Sequence, residues 1–329
     1  MVNNNRILRY ADAVAWDSRA VPPSLHIALT DQCWNQCKIC GHWERKDKTD
    51  IDINELSQFI TECEKHNLET VCFTGGDPLR YSCFNRIAHM CSEWGIDYGI
   101  VTAGWKPSWI NMDTLRRARW VRCSIDAVGE EHYRAVRGGS LRWKTLEASL
   151  NKMAAEGVNL QVFTTISKHN VNYLADLYSW LYDNRYMFSE FRARPAYKHG
   201  GCSDSVNSVQ VMKILGRYQQ ELDNAELVQR QFTPVPFEHC QAVKYQWFIS
   251  AKGNIYPCCI TAGDTESASR VEPIGHITDG IGNLYNAALQ WSCIGYDSLP
   301  DVCRKECVPR FNAINTMLTN DYLLEKNFF

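Results

Sequence analysis

The chain has 329 residues, 45% of them apolar and 22% charged, the balance of a folded protein with a sizeable core and far from that of a disordered segment. Lys and Arg total 35 against 37 Asp and Glu, a net charge of -2, so charge does not indicate a nucleic-acid partner. No run nears the roughly 20 apolar residues that cross a bilayer, and the start MVNNNRILRY is no charged-then-apolar leader; a cytoplasmic protein with no membrane partner is expected.

Residues 1–23 read as an N-terminal extension. From 24 to 194, short runs rich in β-branched and aromatic residues alternate with longer amphipathic ones, and the runs at 26–29, 70–74, 97–102, 120–126, 160–167 and 189–193 predict six strands. After the first strand, Asp52 suits a helix N-cap, with Leu56, Phe59, Ile60 and Cys63 on one face. Leu146, Leu150 and Met153 lead to a stop at Gly157, and Leu174, Leu177, Tyr178 and Leu181 form another stripe. Such alternation predicts an α/β fold of parallel strands and helical crossovers, as an open sheet or a full or partial barrel, with ligands at the C-terminal strand ends. The pattern breaks after Pro195; 195–236 reads as a bridging insertion with one helical stretch from Val211 to Leu222. From 237 to 308 turn residues and cysteines take over, as where a cofactor organises a small domain, and 309–329 suits a terminal helix.

The 15 Cys in a reducing compartment suit metal or cluster ligation better than disulfides. The first set follows the first strand directly: Cys33, Cys37 and Cys40, spaced C-x3-C-x2-C in a loop. Three close thiols with no fourth beside them suit a centre that needs an open coordination position, whereas a zinc site would recruit His42 as a fourth ligand. At the end of the first strand, this triad resembles that of the radical S-adenosylmethionine (SAM) superfamily, and the resemblance extends over about 24–194.

That resemblance implies a partial (β/α)6 TIM-like barrel in which Cys33, Cys37 and Cys40 hold a 4Fe-4S cluster whose free iron binds SAM. Ile39 stands where the family usually has an aromatic residue and packs beside adenine. Gly75-Gly76-Asp77-Pro78 is similar to the family's Gly-Gly-Glu-Pro element; the bare backbone of Gly75 and Gly76 suits an ammonium group, with Asp77 in place of the Glu. Read without the family, the segment is a tight turn with Pro78 opening a helix. Ser124-Ile125-Asp126, followed by Arg137-Gly138, resembles a stretch of the branch with C-terminal iron-sulfur domains. It implies that Ser124 and Asp126 face SAM and that Arg137 pairs with its carboxylate, the alternative being a local Asp126–Arg137 salt bridge.

The second set has Cys240 and Cys258 in a C-x12-G-x4-C pattern, then Cys303 and Cys307 spaced C-x3-C. The Gly253 segment predicts a hairpin turning at Lys252-Gly253-Asn254, which brings Cys258 back toward Cys240. This pattern resembles the twitch domain, a shortened SPASM domain, and implies an auxiliary 4Fe-4S cluster on Cys240, Cys258, Cys303 and Cys307, with Cys259 and Cys293 as alternative ligands. A four-cysteine zinc ribbon uses the same residues. The remaining cysteines, Cys63, Cys72, Cys83, Cys91, Cys123, Cys202, Cys259 and Cys293, suit small buried positions.

Together these resemblances imply an enzyme that cleaves SAM reductively to a 5'-deoxyadenosyl radical, drawing electrons from a flavodoxin or ferredoxin, and abstracts hydrogen from a small-molecule substrate. A dehydrogenation with the auxiliary cluster as electron acceptor is expected; epimerisation, isomerisation and modification of a peptide or nucleoside are the alternatives. Arg192 and Arg194 are candidate substrate anchors, with Tyr197, His199 and Cys202 in the loop beyond. The non-enzymatic alternatives are an iron-sulfur electron carrier and a zinc-binding interaction protein.

Overall fold

The structure, a computed structural model, describes residues 20–44, 46–195, 225–227, 236–262 and 271–306. Six strands appear where the alternation predicts them: β1 (Ser24–Thr30), β2 (Thr70–Gly75), β3 (Asp97–Thr102), β4 (Trp120–Ser124), β5 (Leu160–Ile166) and β6 (Glu190–Pro195). Each pairs in parallel with the next. All six C-terminal ends therefore lie along one edge.

The crossovers are helical: α1 (Ile53–Lys65), α2 (Phe84–Glu93), α3 (Met112–Arg117), α4 (Glu130–Arg137), α5 (Trp143–Ala155) and α6 (Leu174–Asp183). Asp52 caps α1, its Oδ1 accepting from Asn54 N at 2.8 Å and Glu55 N at 2.9 Å, and Leu56, Phe59, Ile60 and Cys63 are its buried face. Strand period 2 sorts the sheet into two sides. Leu25, Ile27, Leu29, Val121 and Cys123 join the helices in one core, each fully buried Leu or Ile contributing about 1.5–3 kcal/mol. On β4 the alternate positions Trp120, Arg122 and Ser124 are only half-buried and line the inner face of the partial barrel.

The sheet does not end at β1. Strand β8 (Gln246–Ile249) runs parallel to β1 on its free edge, and β9 (Asn254–Tyr256) and β10 (Gly275–His276) follow antiparallel, while β7 (Ala225–Leu227) flanks β6. The order is β10-β9-β8-β1-β2-β3-β4-β5-β6-β7. The predicted hairpin is the β8–β9 turn: Ser250 N donates to Asn254 O at 2.9 Å and Gly253 N to Ser250 O at 2.9 Å. Gly253 has φ 82° and leaves no room for a side chain, since a Cβ there would meet His276 Nε2 at 2.4 Å. Helices α7 (Cys259–Ala262), α8 (Ile281–Ser292) and α9 (Asp301–Glu306) complete the described chain. Among the described residues no helix is long and apolar enough to cross a membrane. The predicted helices around 211–222 and 309–329, with Tyr197, His199, Cys202 and Cys307, lie outside the described residues.

Candidate active site at the C-terminal edge of the sheet

The loop after β1 carries Cys33, Cys37 and Cys40, and its backbone is tied from three directions. From the end of α4, Val136 O accepts from Lys38 N at 3.3 Å and Arg137 O from Gln36 N at 2.9 Å. From beyond β2, Arg80 Nη1 donates to Cys33 O at 3.0 Å. From the loop's own far side, Trp43 Nε1 donates to Cys37 O at 3.0 Å. The turn after α4 packs against the loop so closely that a Cβ at Gly139, φ 72°, would sit 2.3 Å from Trp34 O.

Gly75 and Gly76 press on the start of the same loop. Gly76 N donates to Thr30 O at 2.7 Å and Asp77 N to Gln32 O at 2.8 Å; a Cβ at Gly76 would meet Gln32 O at 2.2 Å, and one at Gly75, φ 123°, would meet Thr30 O at 2.4 Å. Bare backbone is thus required by the chain itself. The Asp77 carboxylate points inward, accepting from Leu79 N at 3.1 Å, Thr102 Oγ1 at 2.9 Å and Ala103 N at 2.9 Å. It caps the short 3-10 helix Pro78–Arg80 and fastens the turn to the end of β3. Burial pushes its pKa up to about 6 although these bonds oppose the shift.

Ser124 ends β4 half-buried on the inner face. Asp126 and Arg137 form the local ion pair, Nη1 to Oδ2 at 2.6 Å, with side chains only 1% and 8% exposed, and Asp126 Oδ1 also accepts from Thr165 N at 2.8 Å. Arg137 Nε is buried with no hydrogen-bond partner among the described residues, and so is Asn35 Oδ1. Asn35 Nδ2 donates to Tyr133 OH at 3.1 Å, a second tie between loop and α4. Buried polar atoms left unpaired beside a thiol loop fit a bound group that brings hydrogen-bonding atoms of its own. Ile39 is half-buried within the loop.

Burial raises the Cys37 thiol to about 12, with the Arg137 charge opposing, and burial followed by Asp77 raises Cys33. A coordinated metal reverses that preference, because it deprotonates a thiol outright. His42, the alternative fourth zinc ligand, instead sits with Nε2 at 3.1 Å from Asp31 Oδ1. Among the described residues no three His, Cys, Asp or Glu side chains form a ready-made single-ion site.

Residues 27–181 match the family model described as the Radical SAM superfamily. The match covers just under half of the chain. A sequence search of curated proteins returns no match. Among solved structures, Streptococcus suis SuiB bound to S-adenosylmethionine is similar to 78% of this chain over 65% of its own, under two thirds of its length, with TM-score 0.61 and 17% identity. SuiB bound to the precursor peptide SuiA is similar over 87% of this chain and 71% of its own, with TM-score 0.66 and 13% identity. The enzyme anSMEcpe with bound AdoMet and Cp18Cys peptide matches 88% of this chain and 86% of its own, with TM-score 0.61 and 14% identity. At such identities the likeness speaks for the fold.

Beyond the matched stretch, the structure gathers members of the second cysteine set in a small apolar cluster of Phe237, Cys240, Ala242, Cys258, Val271, Leu299 and Cys303. Burial first, then Cys259, Cys303 and Cys240, raise the Cys258 thiol; burial and then Cys240 raise Cys303 to about 12. Three of the four residues that the resemblance implies as ligands are therefore together, with Cys259 beside them and Cys307 outside the described residues. Of the cysteines expected as small buried groups, Cys63, Cys72, Cys91 and Cys123 are buried, whereas Cys83 and Cys259 are half-buried and Cys293 is exposed. The last is a correction with a simple cause: Cys293 is the C-cap of α8, where the chain leaves the packed face. Arg192 reaches back to its neighbour Glu190, Nε to Oε1 at 2.6 Å. Sequence reasoning missed Asn35 and Tyr133, because neither bears a motif and 98 positions separate them.

Proposed function

We propose that the chain is a radical SAM enzyme, with Cys33, Cys37 and Cys40 holding a 4Fe-4S cluster, and Gly75, Gly76, Ser124, Arg137 and Ile39 forming the SAM pocket. One observation carries this reading: a three-thiol loop, locked at the C-terminal edge by α4 and by the Gly75-Gly76 backbone, with the buried Arg137 Nε beside it unpartnered among the described residues. When bound, the reduced cluster and SAM supply a 5'-deoxyadenosyl radical for hydrogen-atom abstraction.

The chain's own residues position and exclude. Asp126 fixes Arg137 through Nη1, so that Nε keeps one orientation and suits a ligand carboxylate. Asp77, engaged by Thr102 and Ala103, acts by holding the glycine turn in place rather than by touching a ligand. The second set, Cys240, Cys258 and Cys303 with Cys307, suits an auxiliary 4Fe-4S cluster as electron acceptor, which favours a net dehydrogenation. A reductant of the flavodoxin or ferredoxin type supplies the initial electron. For substrate, the small molecule expected from the sequence yields to a peptide, supported by the peptide-bound forms of SuiB and anSMEcpe.

Anaerobic reconstitution tests this reading. Two cubanes give about eight irons per chain and one gives about four, and dithionite with SAM should release 5'-deoxyadenosine and methionine. Zinc in place of iron, or reduction with SAM left intact, overturns it in favour of a binding module or an electron carrier.

A further inference from the structure

Trp34 stands between Cys33 and Cys37, and its ring opens a chain of aromatic contacts that leads from the thiol loop to solvent. Its ring centre lies 4.3 Å from that of Trp105, edge to face, and 6.0 Å from that of Trp109. Arg80 covers the same ring, with Cζ 4.2 Å from its centre, while Nη1 of that guanidinium holds Cys33 O. Trp105 is partly buried against the core, but Trp109 is 48% exposed. A large ring left in water is the kind of anchor that interfaces use.

The exposure of Trp109 is not the looseness of a loop. Asn85 of α2 holds it from both sides, Nδ2 donating to Trp109 O at 2.7 Å and Oδ1 accepting from Asn111 N at 3.0 Å. At the other end of the β3–α3 connection, Ser149 Oγ of α5 accepts from Lys106 N at 2.8 Å and donates to Gly104 O at 3.1 Å. With its backbone fixed at both ends, the connection presents the ring with little ordering left to lose on binding.

Three cations border the rings: Arg80 stacked on Trp34, Lys106 next after Trp105, and Lys152 exposed on α5. Arg80 and Lys106 donate to backbone carbonyls, Cys33 O at 3.0 Å and Pro107 O at 3.3 Å. None of the three makes a salt bridge among the described residues, whereas on the neighbouring α3 Asp113 engages Arg116 and Arg117. Desolvation and then the like charge of Lys152 lower the Lys106 pKa. An anionic partner relieves that repulsion, so the patch selects for acidic surfaces.

We propose that this patch is the docking face for the electron donor of the first cysteine set, a small acidic one-electron carrier protein with a flavin or iron-sulfur centre. A carrier seated on Trp109 is linked to Cys33 through two indoles. A patch of this size suits brief contact, since electron-transfer complexes bury less than about 1,200 Å² and rely on complementary charge for encounter. In the step itself the carrier loses one electron and the cluster gains it, with no bond made or broken and no proton moved. This deepens the radical SAM reading, which supplies the reducible cluster.

The test is anaerobic stopped-flow reduction of the reconstituted holoprotein by a flavodoxin hydroquinone, with dithionite as a reductant that needs no docking face. The readout is the ratio of the two rates. Trp109→Ala should lower that ratio about tenfold or more, as expected for loss of an aromatic anchor. The double variant Lys106→Gln, Lys152→Gln should lower it severalfold and flatten its dependence on salt. Iron content equal to wild type checks that the variants are folded. The same series with a reduced ferredoxin decides between the two carriers, and dependence of either ratio on Trp109 supports the docking face. Unchanged ratios in Trp109→Ala, or no reduction of the wild type by either carrier, overturn it. Self-association of the wild type that Trp109→Ala abolishes overturns it in favour of a second copy of the chain. Should the chain take up no iron, the radical reading falls by itself; calorimetric binding of oxidised flavodoxin to the cluster-free chain, lost in Trp109→Ala, still reports the patch, and absence of that binding overturns both.

Discussion

The two cysteine sets are held in opposite ways. Around Cys33, Cys37 and Cys40 the loop backbone is fastened by hydrogen bonds from α4, Arg80 and Trp43, and Cys33 and Cys40 are only half-buried. Around Cys240, Cys258 and Cys303 the thiols themselves are buried among apolar side chains. A centre that must admit a ligand needs a rigid backbone and an open side; one that only exchanges electrons can be closed. A loop tied through its backbone and a cluster packed through its side chains thus stand along a single sheet.

The largest effect should come from breaking the open site. Cys33→Ala is expected to abolish 5'-deoxyadenosine release and remove about half of the iron of a two-cluster protein, measured by chromatography and iron assay. Cys258→Ala should divide the functions instead: about half of the iron is lost, yet reductive SAM cleavage persists while oxidised product does not form. If Cys258→Ala stops cleavage as well, the two sets are not independent and the comparison fails.

A pH experiment sharpens the contrast on the side of the open site. Asp77 is raised from 3.8 to about 6 by burial, so the folded cluster-free chain binds its proton more tightly than the unfolded one does. The associated stability is fully present below about pH 4 and is lost as pH rises through about 6, a change of about 3 kcal/mol for this group. Asp77→Asn removes the titration. Its unfolding free energy relative to wild type should move in the variant's favour between pH 4 and pH 7, by urea denaturation; a constant difference across that range contradicts the assignment.

Gly76→Ala probes the close approach directly. Its Cβ would stand 2.2 Å from Gln32 O, and backbone on both sides must shift, at a cost of about 1–3 kcal/mol. Thermal unfolding of the cluster-free chain should show that loss, and reconstitution should retain less iron on the first set than on the second.

Much of this was legible beforehand because it is local. Period-2 runs marked β1 to β6, Asp52 marked the start of α1, and Gly253 marked the β8–β9 turn. What stayed hidden is carried by contacts between distant positions. Gln246 beside Ser24 joins the C-terminal hairpin to the barrel sheet, and Asn35 beside Tyr133 ties the loop to α4. The motif names Asp77 but not its partners: the carboxylate accepts from Leu79, Thr102 and Ala103.

The smallest expected effect concerns His42, where spacing left zinc open. A zinc site built from the triad would require this imidazole as its fourth ligand, and His42→Gln would then release the metal. The structure instead turns Nε2 toward Asp31 at 3.1 Å, on the β1 side of the loop, where a Gln amide can still donate to the carboxylate. Stability should therefore change by about 1 kcal/mol or less, with iron content and 5'-deoxyadenosine yield at wild-type levels. Loss of metal from this variant alone, with Cys258→Ala leaving the first set loaded, would turn the open site into a closed one and remove the vacant position on which SAM binding depends.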